Sequence, residues 1–129
     1  MSKGKVLIID DDPVIVELVT TLLQSRSYDV ITAFDGVDGL EKAKIEQPNI
    51  ILLDIIMPTM DGYEVCDELK KDKNTKKIPV VMLTCVGSRE AVRTAHQVGA
   101  DDYIVKPINL TTLLDKIKFF AKQKAENQV

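Results

Sequence analysis

Four short apolar runs in this chain each end in a residue type that phosphoryl chemistry uses. Val6-Leu7-Ile8-Ile9 runs into Asp10-Asp11, and Ile50-Ile51-Leu52-Leu53 into Asp54. Val80-Val81-Met82-Leu83 runs into Thr84, and Tyr103-Ile104-Val105 into Lys106-Pro107. If the runs are parallel strands of one sheet, carboxylates, a hydroxyl and an ammonium gather at one edge. Carboxylates packed within a few ångströms cannot all ionise comfortably without a cation among them. Oxygen-only ligands suit a hard divalent ion, Mg2+ (or Mn2+), which favours sites of one or two carboxylates with waters and phosphate oxygens. A carboxylate beside such an ion can attack phosphorus and become an aspartyl-phosphate. Catalysis of phosphoryl transfer is mostly positioning and neutralisation of the equatorial oxygens. The metal, the Lys106 ammonium and the Thr84 hydroxyl can each take one.

The apolar pattern supplies the elements that must hold these residues. Short β-branched runs read as buried strands over Lys5–Ile9, Asp29–Ala33, Ile50–Leu53, Val80–Leu83 and Tyr103–Val105. Between them, Ile15, Leu18, Val19 and Leu22 follow helical spacing, as do Leu110, Leu113, Leu114, Ile117, Phe120 and Ala121. Weaker helical faces are Val37, Leu40 and Ala43, then Val65, Cys66 and Leu69 within Gly62–Lys71, then Ala91, Val92, Ala95 and Val98. Pro13 suits a first helical turn. Asp61 with Glu64 resembles a capping box, Asp35, Ser88 and Asn109 suit N-caps, and Gly99 suits a left-handed helix stop.

Every strand is thus followed by a helix, which predicts an α/β fold with a parallel sheet covered on both faces. Right-handed crossovers leave the flavodoxin-like strand order 2-1-3-4-5 as the natural doubly wound (βα)5 arrangement. Ligands of such sheets bind beyond the carboxyl ends of the strands where the order reverses. That point lies between strands 1 and 3, the two that end in Asp10-Asp11 and Asp54.

The 129 residues fit a single domain, with a core over about residues 4–122 and a short C-terminal tail. A formal net charge of −3 argues against a binder of nucleic-acid backbones. No apolar stretch reaches membrane length, and no secretory leader is visible, so a cytoplasmic protein is expected. Cys66 and Cys85 form no metal or disulfide pattern and read as two buried thiols. His96 reads as a surface residue and Lys70–Lys77 as a solvated loop. Lys116, Lys118, Lys122 and Lys124 suit the C-terminal end of a helix.

The segments VLIIDDDP (Val6–Pro13), ILLDIIMPTMDG (Ile51–Gly62), PVVMLT (Pro79–Thr84) and GADDYIVKP (Gly99–Pro107) together carry a resemblance. The chain is similar, over essentially its whole length, to receiver domains of two-component response regulators, and looks like the single-domain chemotaxis-regulator type. The resemblance implies a phosphorylation-activated signalling switch rather than a turnover enzyme. Asp54 would be the phospho-acceptor, charged by a sensor histidine kinase, a phosphotransfer protein or a small phosphodonor. Asp11, Asp54 and the backbone carbonyl of Ile56 would ligate Mg2+, with Asp10 acting largely through water. Lys106 would pair with the phosphoryl group, Thr84 would swing to bond it, and Tyr103 would be the switch aromatic that turns inward. Lys106-Pro107 would be a cis peptide. The face of helix 4, strand 5 and helix 5 would read out the change to a downstream target or output domain, or to a second copy in a phosphorylation-dependent homodimer.

This chain departs from the usual pattern at Ile56 and Val86, apolar where many relatives are polar, and at Cys85, where a smaller residue is usual. These three positions are expected to tune the lifetime of the phosphoryl group by limiting water. A haloacid-dehalogenase phosphohydrolase would need a second Asp where Ile56 stands, and a cap domain. A Rossmann-like nucleotide binder would need a glycine-rich loop where IDDDP stands. The remaining alternative is a receiver-like interaction module that works without phosphorylation, although the acidic residues, Thr84 and Lys106 are all present. The chain ends soon after helix 5, so no DNA-binding domain of its own is expected, unless it is one domain of a longer protein.

Overall fold

The computed structural model describes residues 2–85 and 87–127, with side chains described through residue 121. Strands and helices alternate as β1 (Lys5–Ile9), α1 (Pro13–Ser25), β2 (Asp29–Ala33), α2 (Gly36–Glu46), β3 (Ile50–Asp54), α3 (Gly62–Lys71), β4 (Val80–Thr84), α4 (Arg89–Gln97), β5 (Asp102–Val105) and α5 (Leu110–Asn127). All strand pairs are parallel, in the order β2-β1-β3-β4-β5. The expected doubly wound, flavodoxin-like architecture is the one observed.

Alternation along each central strand divides the core into two layers. Leu7, Ile9, Ile51, Leu53, Val80 and Met82 face α2, α3 and α4, whereas Val6, Ile8, Ile50, Leu52, Val81 and Leu83 face α1 and α5. Each fully buried leucine or isoleucine contributes roughly 1.5–3 kcal/mol, so β1, β3 and β4 form the rigid base of the fold. At the edge, β2 is only partly covered, and the Lys42 ammonium donates to the Thr32 carbonyl at 2.6 Å. A charged group so placed discourages pairing with another chain.

The helix starts follow the expected chemistry. Asp35, Asp61, Ser88 and Asn109 each accept a backbone N–H three residues on. Gly99 adopts φ +89°, the left-handed stop that a side chain would strain. Some faces are rotated from expectation. In α1 the buried residues are Val16, Val19 and Leu23, while Leu18 is 47% exposed. Apolar residues at 14, 15, 16, 18, 19, 22 and 23 fit two helical phases, and periodicity alone does not choose. In α2 the small residues Gly36, Gly39 and Ala43 pack inward and Val37 lies outside.

The Lys70–Lys77 segment is not simply a solvated loop. Thr75 is fully buried and donates to the Leu69 carbonyl, and Lys70 reaches the Ile78 carbonyl at 2.8 Å and Asp101 at 2.9 Å. Those contacts turn the chain from α3 back into β4. Lys116 pairs with Asp102 of β5 instead of serving the end of α5, Lys118 is exposed, and Lys122 and Lys124 lie outside the described side chains. No helix among the described residues is long and apolar enough to cross a membrane.

Candidate functional site

Register brings the polar residues together. Ile9 pairs with Leu53, so Asp10 emerges from β1 beside Asp54, the last residue of β3. Asp54 pairs with Leu83, Thr84 pairs with Val105, and the Lys106 N–H donates to the Thr84 carbonyl at 2.6 Å. Both Asp54 and Thr84 lie within their strands, one residue beyond the ends expected from the apolar runs.

Asp10, Asp11 and Asp54 each offer a carboxylate oxygen within 4.8 Å of the others. Asp10 is fully buried, Asp54 nearly so, and Asp11 is exposed. The Asp10 carboxylate is held at both oxygens: Oδ1 accepts the Asp12 N–H at 3.0 Å, and Oδ2 lies 3.2 Å from Lys106 Nζ. Asp12 in turn caps α1 by accepting the Val14 N–H. The same ammonium lies 3.2 Å from Asp54 Oδ1, and the peptide bond from Lys106 to Pro107 is cis.

The electrostatics follow from this crowding. Burial, followed by the neighbouring Asp10 charge, pushes the Asp54 carboxyl up to about 6, with Lys106 pulling the other way. Burial opposes the charge of Lys106, but Asp10 and Asp54 outweigh it and hold the ammonium above the ordinary lysine range. One cation is shared between two buried carboxylates with a third beside them, which is a net anionic cleft. All three donors are hard oxygens and one side is open through Asp11, so the residues fit a small divalent cation.

Behind Asp54 the chain returns unusually close. The Gly62 N–H donates to the Ile55 carbonyl at 2.7 Å, and a Cβ at Gly62 would stand 2.2 Å from the Asp54 carbonyl oxygen. Only glycine fits there. The approach is set by a tight turn in which Thr59 takes φ +72° and the Met60 N–H donates to the Pro58 carbonyl at 2.8 Å. A β-branched residue at positive φ is strained, on the order of 1–3 kcal/mol, so the turn is held by its surroundings.

The structure thus gathers Asp10, Asp11, Asp54 and Lys106, with buried Thr84 at the end of the adjoining strand. Ile56 sits beside the site with 63% of its surface exposed. Val86 lies outside the described residues. Cys85 corrects the expectation of two buried thiols: it is exposed, because it follows the last residue of β4 where the chain leaves the sheet. Cys66 is buried in α3, and burial pushes its thiol up to about 11. Tyr103 points outward from β5, 38% exposed, and His96 is exposed as expected. Two residues were not anticipated. Asp12 was legible as an acid before a helix-starting proline, and Tyr63, whose hydroxyl donates to the Ala91 carbonyl, left no signal.

Comparison with known proteins places this geometry. Residues 6–118 match the response regulator receiver domain. The chain is 41% identical over 114 residues to the DNA-binding dual master transcriptional regulator RpaA of a Synechocystis strain, covering 88% of this chain and 47% of that protein. It spans about half the length of the curated relatives it matches. Among solved structures it is similar to Vibrio cholerae chemotaxis protein CheY4, with TM-score 0.86 and 36% identity over 91% of this chain and 98% of that one. It is also similar to the receiver domain of sensor histidine kinase PA1611 from Pseudomonas aeruginosa, solved with a magnesium ion coordinated in its active-site cleft, with TM-score 0.85 and 25% identity over 92% of this chain and 98% of that one. The chain belongs to the receiver domains of two-component response regulators, a family of signalling proteins.

Proposed function

We propose that Asp54 accepts a phosphoryl group from a sensor histidine kinase, a phosphotransfer protein or a small phosphodonor, and that the resulting aspartyl-phosphate switches the α4–β5–α5 face. The observation that carries this reading is the Lys106 ammonium shared at 3.2 Å between buried Asp10 and Asp54, with the Asp11 carboxylate completing an oxygen cluster.

Asp11, Asp54 and the Ile56 carbonyl would hold Mg2+ directly, and Asp10 through water. Bound there, the ion supplies charge neutralisation of the phosphoryl oxygens. Ionised Asp54 attacks phosphorus in line, the bond to the donor nitrogen or oxygen breaks, and the leaving group departs with its electron pair. Lys106 then exchanges its contact with Asp54 for one with a phosphoryl oxygen. The hydroxyl of Thr84 moves to another, and its displacement lets Tyr103 turn inward.

Tyr103, Val105 and Phe119 are exposed apolar residues on β5 and α5, 38%, 42% and 55% accessible. They suit a face that meets a target protein, an output domain or a second copy. A cytoplasmic location fits a reaction with intracellular phosphodonors.

The test is incubation with Mg2+ and acetyl phosphate, followed by intact mass and peptide mapping. A hydroxylamine-labile phosphoryl adduct on Asp54, absent from Asp54→Asn, is the expected result. No adduct with that donor or with candidate kinases would overturn the reading in favour of an interaction module.

A further inference from the structure

The two helices beside the site are held very differently. α3 buries Val65, Cys66 and Leu69, and its first residue, Gly62, lies against the Asp54 carbonyl. α4 buries only Ala95. Between α4 and β5 lies an open groove of about 500 Å³, lined by Gly87, Arg89, Val92, Arg93, His96 and Tyr103. An element with so little buried apolar surface is cheap to displace. In sequence it begins five residues after Thr84, the last residue of β4.

One side chain reaches across to the first turn of α4. The Tyr63 hydroxyl, from the second residue of α3, donates to the Ala91 carbonyl of α4 at 3.2 Å. Helical geometry commits this carbonyl to the Ala95 amide, and the phenol uses its second lone pair. Burial, with Asp61 and Glu90 nearby, raises the Tyr63 hydroxyl above the ordinary tyrosine range, so it stays a donor through mildly alkaline pH. A continuous chain of contacts therefore runs from the Asp54 carbonyl through Gly62 and Tyr63 to the first turn of α4.

We propose that Tyr63 is a positioning residue of the switch: its hydroxyl latches α4 in the arrangement seen here, with Tyr103 outward, and must be released for the phosphorylated arrangement to form. The inference rests on Asp54 being the phospho-acceptor. An aromatic ring at this position would pack against the α3-side core with or without its hydroxyl, so a merely structural role predicts no effect on ligand affinity. A latch predicts one, because removing a bond made only in one state shifts the population toward the other.

Tyr63→Phe deletes the bond and keeps the ring. The probe is trifluoroberyllate with Mg2+, a phosphoryl mimic, titrated against backbone amide resonances of wild type and variant. The latch predicts apparent mimic affinity about 2- to 10-fold tighter in Tyr63→Phe, the range expected for one lost hydrogen bond. Affinity for Mg2+ alone stays unchanged, and amide exchange across α4, but not β1 or β3, quickens by a similar factor. Wild-type mimic affinity in the folded variant, or weaker affinity, overturns the latch while leaving the acceptor reading intact. If wild type itself binds no mimic, the acceptor reading falls and the latch with it.

Discussion

Lys106 Nζ lies 3.2 Å from Oδ1 of Asp54, although 52 residues and the whole of β4 separate their strand ends. That ammonium also serves Asp10, so Asp54 has half a counter-ion and a full anionic neighbour. The balance is unfavourable: burial and Asp10 together outweigh Lys106 and push Asp54 up to about 6.

The raised carboxyl makes Asp54 a cost to the metal-free fold. Its folded value of about 6 exceeds the ordinary 3.8, so the folded state binds more protons between those limits and stability falls as pH rises through them. Above pH 6 the penalty is complete, on the order of 2–3 kcal/mol. Metal-free Asp54→Asn is therefore expected to melt roughly 5–10 °C above wild type at pH 7.5, with the gap closing toward pH 4. Thermal melts across that range check it; a gap that widens in acid would contradict the electrostatic account.

A divalent cation should offset part of the same penalty. Mg2+ at ten times its dissociation constant stabilises by about 1.4 kcal/mol, through preferential binding to the folded state. Its affinity should fall below pH 6, where a proton on Asp54 competes. Asp11→Asn should lose most of the Mg2+-induced melting shift while keeping a metal-free melt close to wild type, since Asp11 is exposed. Calorimetric titration at pH 5.5 and 7.5 separates the two effects.

The fold was legible because the strands of a parallel sheet buried on both faces are nearly continuous apolar runs, and the polar residues that close them are abrupt. Asp10, Asp54, Thr84 and Lys106 could be placed at one edge from that punctuation alone. The phase of α1 was not legible, because Val14–Leu23 is apolar on more than one face. Neither was the latch from Tyr63 to Ala91, since a side-chain bond to a distant backbone carbonyl leaves no periodic trace. Cys85 was misjudged for a related reason: its residue type suggests burial, but its place one step past β4 puts it outside.

Gly62 carries the most severe steric demand near Asp54. A methyl group there would meet the Asp54 carbonyl oxygen at 2.2 Å and the Ile55 Cα at 2.7 Å, both backbone atoms that cannot turn aside. Gly62→Ala is expected to destabilise by about 2–4 kcal/mol, as overpacked and strained sites do. It should also slow phosphorylation by displacing Asp54 from Lys106. Urea unfolding and the rate of labelling by acetyl phosphate measure the two consequences, and an unperturbed labelling rate would show that the acceptor's position does not depend on this contact.

If Asp54 is phosphorylated as proposed, Ile56 is expected to bear on how long the phosphoryl group lasts. It stands two residues beyond Asp54 with 63% of its surface exposed, so it is not packed down as a seal over the carboxylate. Its effect on hydrolysis must then come from what it offers an attacking water, and a hydrocarbon side chain offers no hydrogen bond to orient one. An amide does. Ile56→Asn is expected to speed loss of phosphate from Asp54 about 3- to 10-fold, well short of the 10²–10⁴ that a positioned general base supplies. The change should leave stability within about 0.5 kcal/mol, as befits an exposed position. The check is the decay of phosphorylated protein after removal of the donor, and equal decay in wild type and variant would remove Ile56 from the residues that set the lifetime.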